Sequence, residues 1–289
     1  MPIPRILSAI VAIILALGMI VLGGWYFTLF FGVIVYLGQL EIFQLARAKG
    51  IAPAAKTTLA ASQVILIVST ASAGLADAVF PIAGIFICFY LLFQPKFATI
   101  ADISVSILGL FYGGYLPSYW VRLRAIGNTD VSNLPLWGYM PSASTTLDTL
   151  PDGLTATLLA FGSIWAADIG AYVFGKFFGR TRLSEISPKK TVEGAVFGVL
   201  ASAVVAVIGA WYLNWPGWPL SGMALGLLIG IASLLGDLTE SMMKRDAGVK
   251  DSGKIIPGHG GILDRTDSYV FTAPLVYYFM TLFLPLLER

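Results

Sequence analysis

Nine mostly apolar stretches, each close to the length of a membrane-spanning helix, recur along this chain, at roughly residues 6–22, 26–45, 58–76, 78–94, 100–120, 153–174, 194–213, 220–240 and 266–287. A helix needs about 20 such residues to cross the hydrocarbon core of a bilayer. With no water there, every backbone N–H and C=O must be satisfied within the segment itself. The expectation is therefore all-α: a polytopic integral membrane helix bundle with about nine transmembrane helices. A mean hydropathy of +0.82 with 12% charged residues agrees, since soluble domains are far more polar. The opening "MPIPR" and the apolar run after it have the order of a signal peptide. No small-x-small cleavage site precedes polar sequence, so the segment is expected to stay as the first span.

Several classes of function are excluded or weakened at once. A net charge of +2 argues against a nucleic-acid partner. The single cysteine, Cys88, lies inside an apolar run, which rules out an intrachain disulfide and a cysteine-based metal site. No internal repeat is visible, which weakens the case for an inverted-repeat transporter.

Basic residues fix the expected sidedness. The N-terminus and the segments 46–57, 95–99, 175–193 and 241–265 hold 15 of the 18 Lys and Arg, against Arg122, Arg124 and Arg289 on the other face. By the positive-inside rule this places the N-terminus in the cytoplasm and the C-terminus outside. The chain divides into an N-terminal region of five spans (1–120), an extracytoplasmic segment (121–152) and a C-terminal region of four spans (153–289) with cytoplasmic loops 175–193 and 241–265. Tyr119 with Trp120, and Trp137 with Tyr139, are expected to anchor the bundle at the headgroup level.

Polarity is concentrated in residues 244–267, "KRDAGVKDSGKIIPGHGGILDRTD", which contain five basic residues, four aspartates and the only histidine, His259. Asp264 and Asp267 open the ninth span, Asp237 lies near the cytoplasmic end of the eighth, and Asp168 near that of the sixth. An intramembrane carboxylate costs on the order of 2.5 to 3.5 kcal/mol, so four near one face call for a compensating partner. Asp264 and Asp267, three apart, share one helical face. They either cap the ninth helix or, with Asp237 and Asp168, hold a divalent cation. Hard oxygen donors favour Mg²⁺ over Zn²⁺. Lys244, Arg245, Lys250 and Arg265 on one loop, with Lys189 and Lys190 on the other, suit phosphate groups, although some serve orientation. Gly258, Gly260 and Gly261 allow a sharp turn around His259, which is a phosphate donor, an acid-base group or a plain loop residue. The Walker pattern GxxxxGK[ST] is absent.

The stretch Ser241–Asp267, "SMMKRDAGVKDSGKIIPGHGGILDRTD", resembles the signature of phosphatidate cytidylyltransferases: Ser-x-hydrophobic-Lys-Arg, then Lys-Asp, a Pro-x-His-Gly-Gly turn and Asp-Arg-x-Asp. "SPKKTVEG" (187–194) and "DIGAYVFGKFFG" (168–179) are similar to further segments of that family. The chain departs at Ile169, where relatives often carry a small or hydroxyl residue. The resemblance implies Mg²⁺-dependent reaction of CTP with phosphatidate to give CDP-diacylglycerol and pyrophosphate, by a homodimer in the cell (inner) membrane with its site on the cytoplasmic side. It implies metal ligation, at one or two cation sites, by Asp237, Asp264 and Asp267 with Asp168 as a fourth carboxylate. Lys244, Arg245 and His259 join these as catalytic groups. Ser187, Lys189, Lys190, Lys250, Asp251, Gly260, Gly261 and Arg265 are then substrate-binding. The rivals are a CTP-dependent polyprenol or phytol kinase and a cation-coupled transporter. Acids gathered at one face disfavour the latter.

Overall fold

The computed structural model describes residues 3–128, 131–255 and 260–287, without the side chains of residues 3–9 and 148. The helices are α1 (Ile3–Leu22), α2 (Gly24–Ala48), α3 (Ala55–Ala71), α4 (Ala73–Leu92), α5 (Ile100–Leu110), α6 (Leu116–Ala125), α7 (Asp152–Phe178), α8 (Val192–Tyr212), α9 (Trp218–Asp246) and α10 (Leu263–Tyr278). A π-helical turn, Phe111–Tyr115, joins α5 and α6 into one rod, and a π turn and a 3-10 turn carry α10 on to Leu286. Among the described residues the fold is thus an all-α bundle of nine rods. Seven are long and apolar enough to cross a membrane, while α3 and the described apolar part of α1, Ile10–Leu22, are shorter.

The helix boundaries differ from the sequence expectation at two places, each for a physical reason. By hydropathy the third and fourth apolar stretches part near Asp77, but the chain turns at Ser72, whose backbone is extended (φ −160°, ψ 115°). Asp77 sits inside α4, where Arg122 of α6 meets it at 2.5 Å. The fifth rod runs on to Ala125, so residues 121–125 are helix and the connector begins at Ile126. Arg122 and Arg124 are therefore buried helix residues and not loop charges. Arg122 lies over the Tyr119 ring at 4.2 Å. Arg124 donates to the carbonyls of Ile20 (2.5 Å) and Val21 (2.8 Å). It thereby satisfies acceptors that the end of α1 leaves open.

The same continuation corrects the expected aromatic anchors. Tyr119 and Trp120 face the bundle and are buried, with Trp120 Nε1 donating to Tyr269 O at 3.0 Å. Tyr139 is buried too, and Trp137 alone of the four is exposed.

The basic segments gather at one end of the bundle. Lys49, after α2, pairs with Asp246 at the end of α9 (3.2 Å), and Ala52 N donates to Asp102 Oδ1 of α5 (2.7 Å). At the other end the 126–151 connector covers the α1–α2 turn through Tyr139 N to Leu22 O (2.8 Å) and Trp25 N to Leu136 O (3.0 Å). Helices in a bilayer approach closely only where side chains are small. Gly236 of α9 is such a place, since a Cβ there would collide with the Asp267 carbonyl of α10.

Candidate active site

That close crossing assembles the site. Asp237, Glu240 and Lys244 recur along α9 at three- and four-residue steps, so they form one stripe. The stripe faces Asp264 and Asp267 in the first turns of α10. Ligand oxygens of Asp237, Glu240 and Asp267 lie within 4.8 Å of one another. Asp168 on α7 borders the same cleft and accepts from Ser268 Oγ at 3.5 Å.

Two lysines counter this negative charge. Lys190 pairs with Asp237, and Lys244 pairs with Glu240 one turn back along α9. Lys244 also donates to Asp264 Oδ1 at 2.6 Å. The second oxygen of Asp264 accepts from Ser252 N (2.9 Å), Ser252 Oγ (3.0 Å) and Gly261 N (2.8 Å). Asp264 thus lies outside the carboxylate trio, and it ties Ser252 and Gly261 to Lys244 of α9. Gly260 takes a left-handed conformation (φ 86°) where that loop returns.

The trio has the character of a hard-cation site. Three carboxylates held this close repel one another unless a cation or protons intervene. Glu240 is fully buried, and its Oε1 receives no hydrogen bond among the described residues. A buried anionic oxygen left open is costly, and oxygen-only donors at one point suit Mg²⁺.

Beside the trio, with Asp237 and Asp267 in its wall and Glu240 buried behind them, a polar cavity of about 740 Å³ opens between α7, α8, α9 and α10, lined among others by Ser187, Lys189, Lys190, Asp251 and Arg265. The same lining includes Asp168, Asp237, Lys244, Asp264 and Asp267. Arg245 and Lys250 are not in the lining among the described residues. Arg245 instead ties two loops, donating to Ile186 O (3.3 Å) and Val249 O (3.0 Å). Gly261 contributes its amide to Asp264, while Gly258 and His259 lie outside the described residues.

Two acidic residues escaped the sequence reading. Glu240 is three residues from Asp237 and four from Lys244, so the spacing test applied to Asp264 and Asp267 would have found it. Glu41, inside the second span, is 1% exposed. It accepts from Ser252 Oγ (2.7 Å), Ile262 N (2.9 Å) and Leu263 N (2.9 Å). The cost of an intramembrane carboxylate was the signal for it.

The chain as a whole is similar to known proteins. The chain is 64% identical to a phosphatidate cytidylyltransferase of Synechocystis sp. over the full length of both. It is 42% identical to phosphatidate cytidylyltransferase 4, chloroplastic, of Arabidopsis thaliana over 92% of this chain and 70% of that one. A Staphylococcus aureus phosphatidate cytidylyltransferase is 46% identical over 45% of this chain and 50% of its own. The sequence profile of the Cytidylyltransferase family matches residues 3–283, from α1 to the last turns after α10. With its site on α7 to α10 and a match that also takes in the first five rods, this chain belongs to the cytidylyltransferase family.

Proposed function

We infer that this chain is a phosphatidate cytidylyltransferase, which converts CTP and phosphatidate to CDP-diacylglycerol and pyrophosphate. The observation that carries this reading is the convergence of Asp237, Glu240 and Asp267 beside Lys190 and Lys244 at the wall of one cleft. A phosphate oxygen of phosphatidate forms the new bond to the α-phosphorus of CTP. The bond from that phosphorus to the oxygen bridging the β-phosphate breaks, and pyrophosphate leaves with the electron pair. The attacking oxygen is already an anion near neutral pH, so no strong base is needed.

What the protein supplies is placement and charge. Holding two reactants in line replaces a bimolecular encounter, and fixed cations offset the charge that grows on bridging oxygens. Lys189, Lys190, Lys244 and Arg265 face the phosphates, with Ser187 and Asp251 in the same lining. Asp237, Glu240 and Asp267 would hold Mg²⁺, with Asp168 alongside. A cation held there would neutralise phosphate oxygens. Asp264 and Glu41 hold the loop that carries Gly260 and Gly261, and Arg245 braces it from the other side. Because the attacking oxygen is already an anion, His259 is assigned to hydrogen-bond donation and not to base catalysis.

We place the site on the cytoplasmic side of the cell membrane, where CTP is available, because 15 basic residues gather at that end. The functional unit is proposed as a homodimer on the resemblance alone. Purified protein incubated with labelled CTP, phosphatidate and Mg²⁺ should yield labelled CDP-diacylglycerol and pyrophosphate. Release of CDP with a phosphorylated lipid would make the enzyme a kinase instead.

A further inference from the structure

Tyr112, in the π turn Phe111–Tyr115, is 1% exposed, and its hydroxyl has no hydrogen-bond partner among the described residues. A phenylalanine would fill the same space without stranding a polar group, and a buried hydroxyl left unpaired is destabilising. The π turn fixes where this hydroxyl goes. Such a turn holds one residue more than an α turn and so redirects the side chains around it, often at a functional site. It lies flush on its neighbours, since a Cβ at Gly113 would collide with Gln39 of α2 and one at Gly114 with Ser62 of α3. Tyr112 packs with Ile42, Leu263 and Val270, and its ring meets Phe271 edge-on at 5.6 Å.

Helical spacing then puts the ring beside the carboxylates. Leu263, Asp267, Val270 and Phe271 follow one another at one-, three- and four-residue steps on α10, so Asp267 shares the face that Tyr112 covers. Met243, which packs against the same cluster, lies one turn beyond Glu240 on α9. The hydroxyl stands in the electrostatic field of Asp267, Glu240 and Asp237, with Asp267 acting most strongly. A buried donor without an acceptor therefore meets a group of carboxylates in which Glu240 Oε1 is an acceptor without a donor.

We propose that Tyr112 is a positioning residue for the carboxylate trio, its hydroxyl donating to an Asp267 oxygen that a bound cation leaves free. The proposal rests on the reading of the trio as a cation site. Carboxylates that ligate a metal are themselves held by hydrogen bonds, and loss of such a partner costs about 10- to 100-fold in affinity or activity. Tyr112 would give the first five rods a direct part in the site on α9 and α10.

Two measurements test it, both without CTP or lipid. In the first, Mn²⁺ is titrated into the detergent-purified protein and followed by electron paramagnetic resonance. Tyr112→Phe keeps the ring against Phe271 and should weaken Mn²⁺ binding by about 10- to 100-fold. Its metal-free Tm should stay level or rise, because an unpaired hydroxyl has gone. Tyr115→Phe, on the same turn but with its hydroxyl on Asp77 (2.8 Å), is the control and should bind Mn²⁺ as wild type does. Wild-type affinity in Tyr112→Phe overturns the proposal and leaves the hydroxyl to the apolar cavity that Tyr112 also lines. Weaker binding with a fall in metal-free Tm also overturns it, since the role would then be structural. In the second, 3-fluorotyrosine replaces Tyr112 and keeps the hydroxyl. Its fluorine resonance should move as Mg²⁺ is added, and the same label in place of Tyr115 should not respond. A static resonance at position 112 overturns the proposal. Wild type that binds neither cation overturns it together with the cation site, whereas wild type that binds both but forms no CDP-diacylglycerol refutes the reaction alone and leaves the role of Tyr112 standing.

Discussion

The carboxylate of Glu41, on α2, accepts the backbone N–H of Leu263, at the start of α10, at 2.9 Å. The same side chain takes Ile262 N and Ser252 Oγ, so it terminates α10 with a negative charge at the positive end of the helix dipole. Asp264 and Asp267 hang from that first turn, and an N-terminal helix therefore sets the height of the C-terminal site.

Glu41→Gln follows from this. The amide keeps the volume but points N–H toward a place that already has donors, leaving at least one of three hydrogen bonds unmade. Hydrogen bonds to charged groups are worth about 1.5 to 3 kcal/mol, so kcat should fall by about 10- to 100-fold. Turnover and Tm of the detergent-purified variant check this, and wild-type kcat would show that Glu41 does not position α10.

The carboxylates of the site should separate into two groups on metal titration. Asp237→Asn, Glu240→Gln and Asp267→Asn each remove charge from the converging trio, and each should raise the Mg²⁺ concentration needed for half-maximal activity by at least tenfold. Asp264→Asn breaks the ion pair with Lys244 and the hold on Ser252 and Gly261. It should lower kcat while leaving the Mg²⁺ midpoint near wild type. A midpoint shift for Asp264→Asn as large as that for Asp267→Asn would return Asp264 to the ligand set.

Arg245 offers a test of scale. Its guanidinium reaches two carbonyls on different loops, Ile186 O and Val249 O, a span that a single ammonium cannot reproduce. Neutral hydrogen bonds contribute about 0.5 to 1.5 kcal/mol each. Arg245→Lys should therefore lower kcat/KM by about 2- to 10-fold, whereas a lost phosphate contact would lower it by about 10- to 100-fold. Lys96→Gln, exposed at the same end of the bundle, is the silent control. Steady-state kinetics with CTP as the varied substrate decide between the two sizes.

Most of the bundle was legible because bilayer physics demands long apolar helices, and the polar segment was legible because carboxylates at membrane depth need a reason. Asp237 and Asp267 could be named from that cost alone. What hydropathy could not convey was partnership. Asp77 reads as a loop residue until Arg122 is found beside it, and Arg122 and Arg124 read as topogenic charges until their acceptors on α4 and α1 are known. Ser72 ends α3 without any polar run, since a change of backbone direction needs no charge. Trp120 belongs to the core because its indole N–H has the Tyr269 carbonyl to meet, a pairing 149 residues apart in sequence.

With Arg122 and Arg124 buried in α6, two of the three basic residues expected on the face opposite the site are not loop charges. The charge bias is then steeper than the loop count gave, and topology becomes directly testable. In a Cys88→Ala background, Lys250→Cys places a thiol on the exposed loop before α10 and Ala143→Cys places one on the exposed 126–151 connector. Neither position touches the carboxylate trio. A membrane-impermeant maleimide added to intact cells, with the outer membrane permeabilised where there is one, should label position 143 at once and position 250 only after the inner membrane is opened. Labelling of position 250 in intact cells would put the polar cleft on the wrong side for CTP and sink the assignment of sidedness, while leaving the geometry of α9 and α10 untouched.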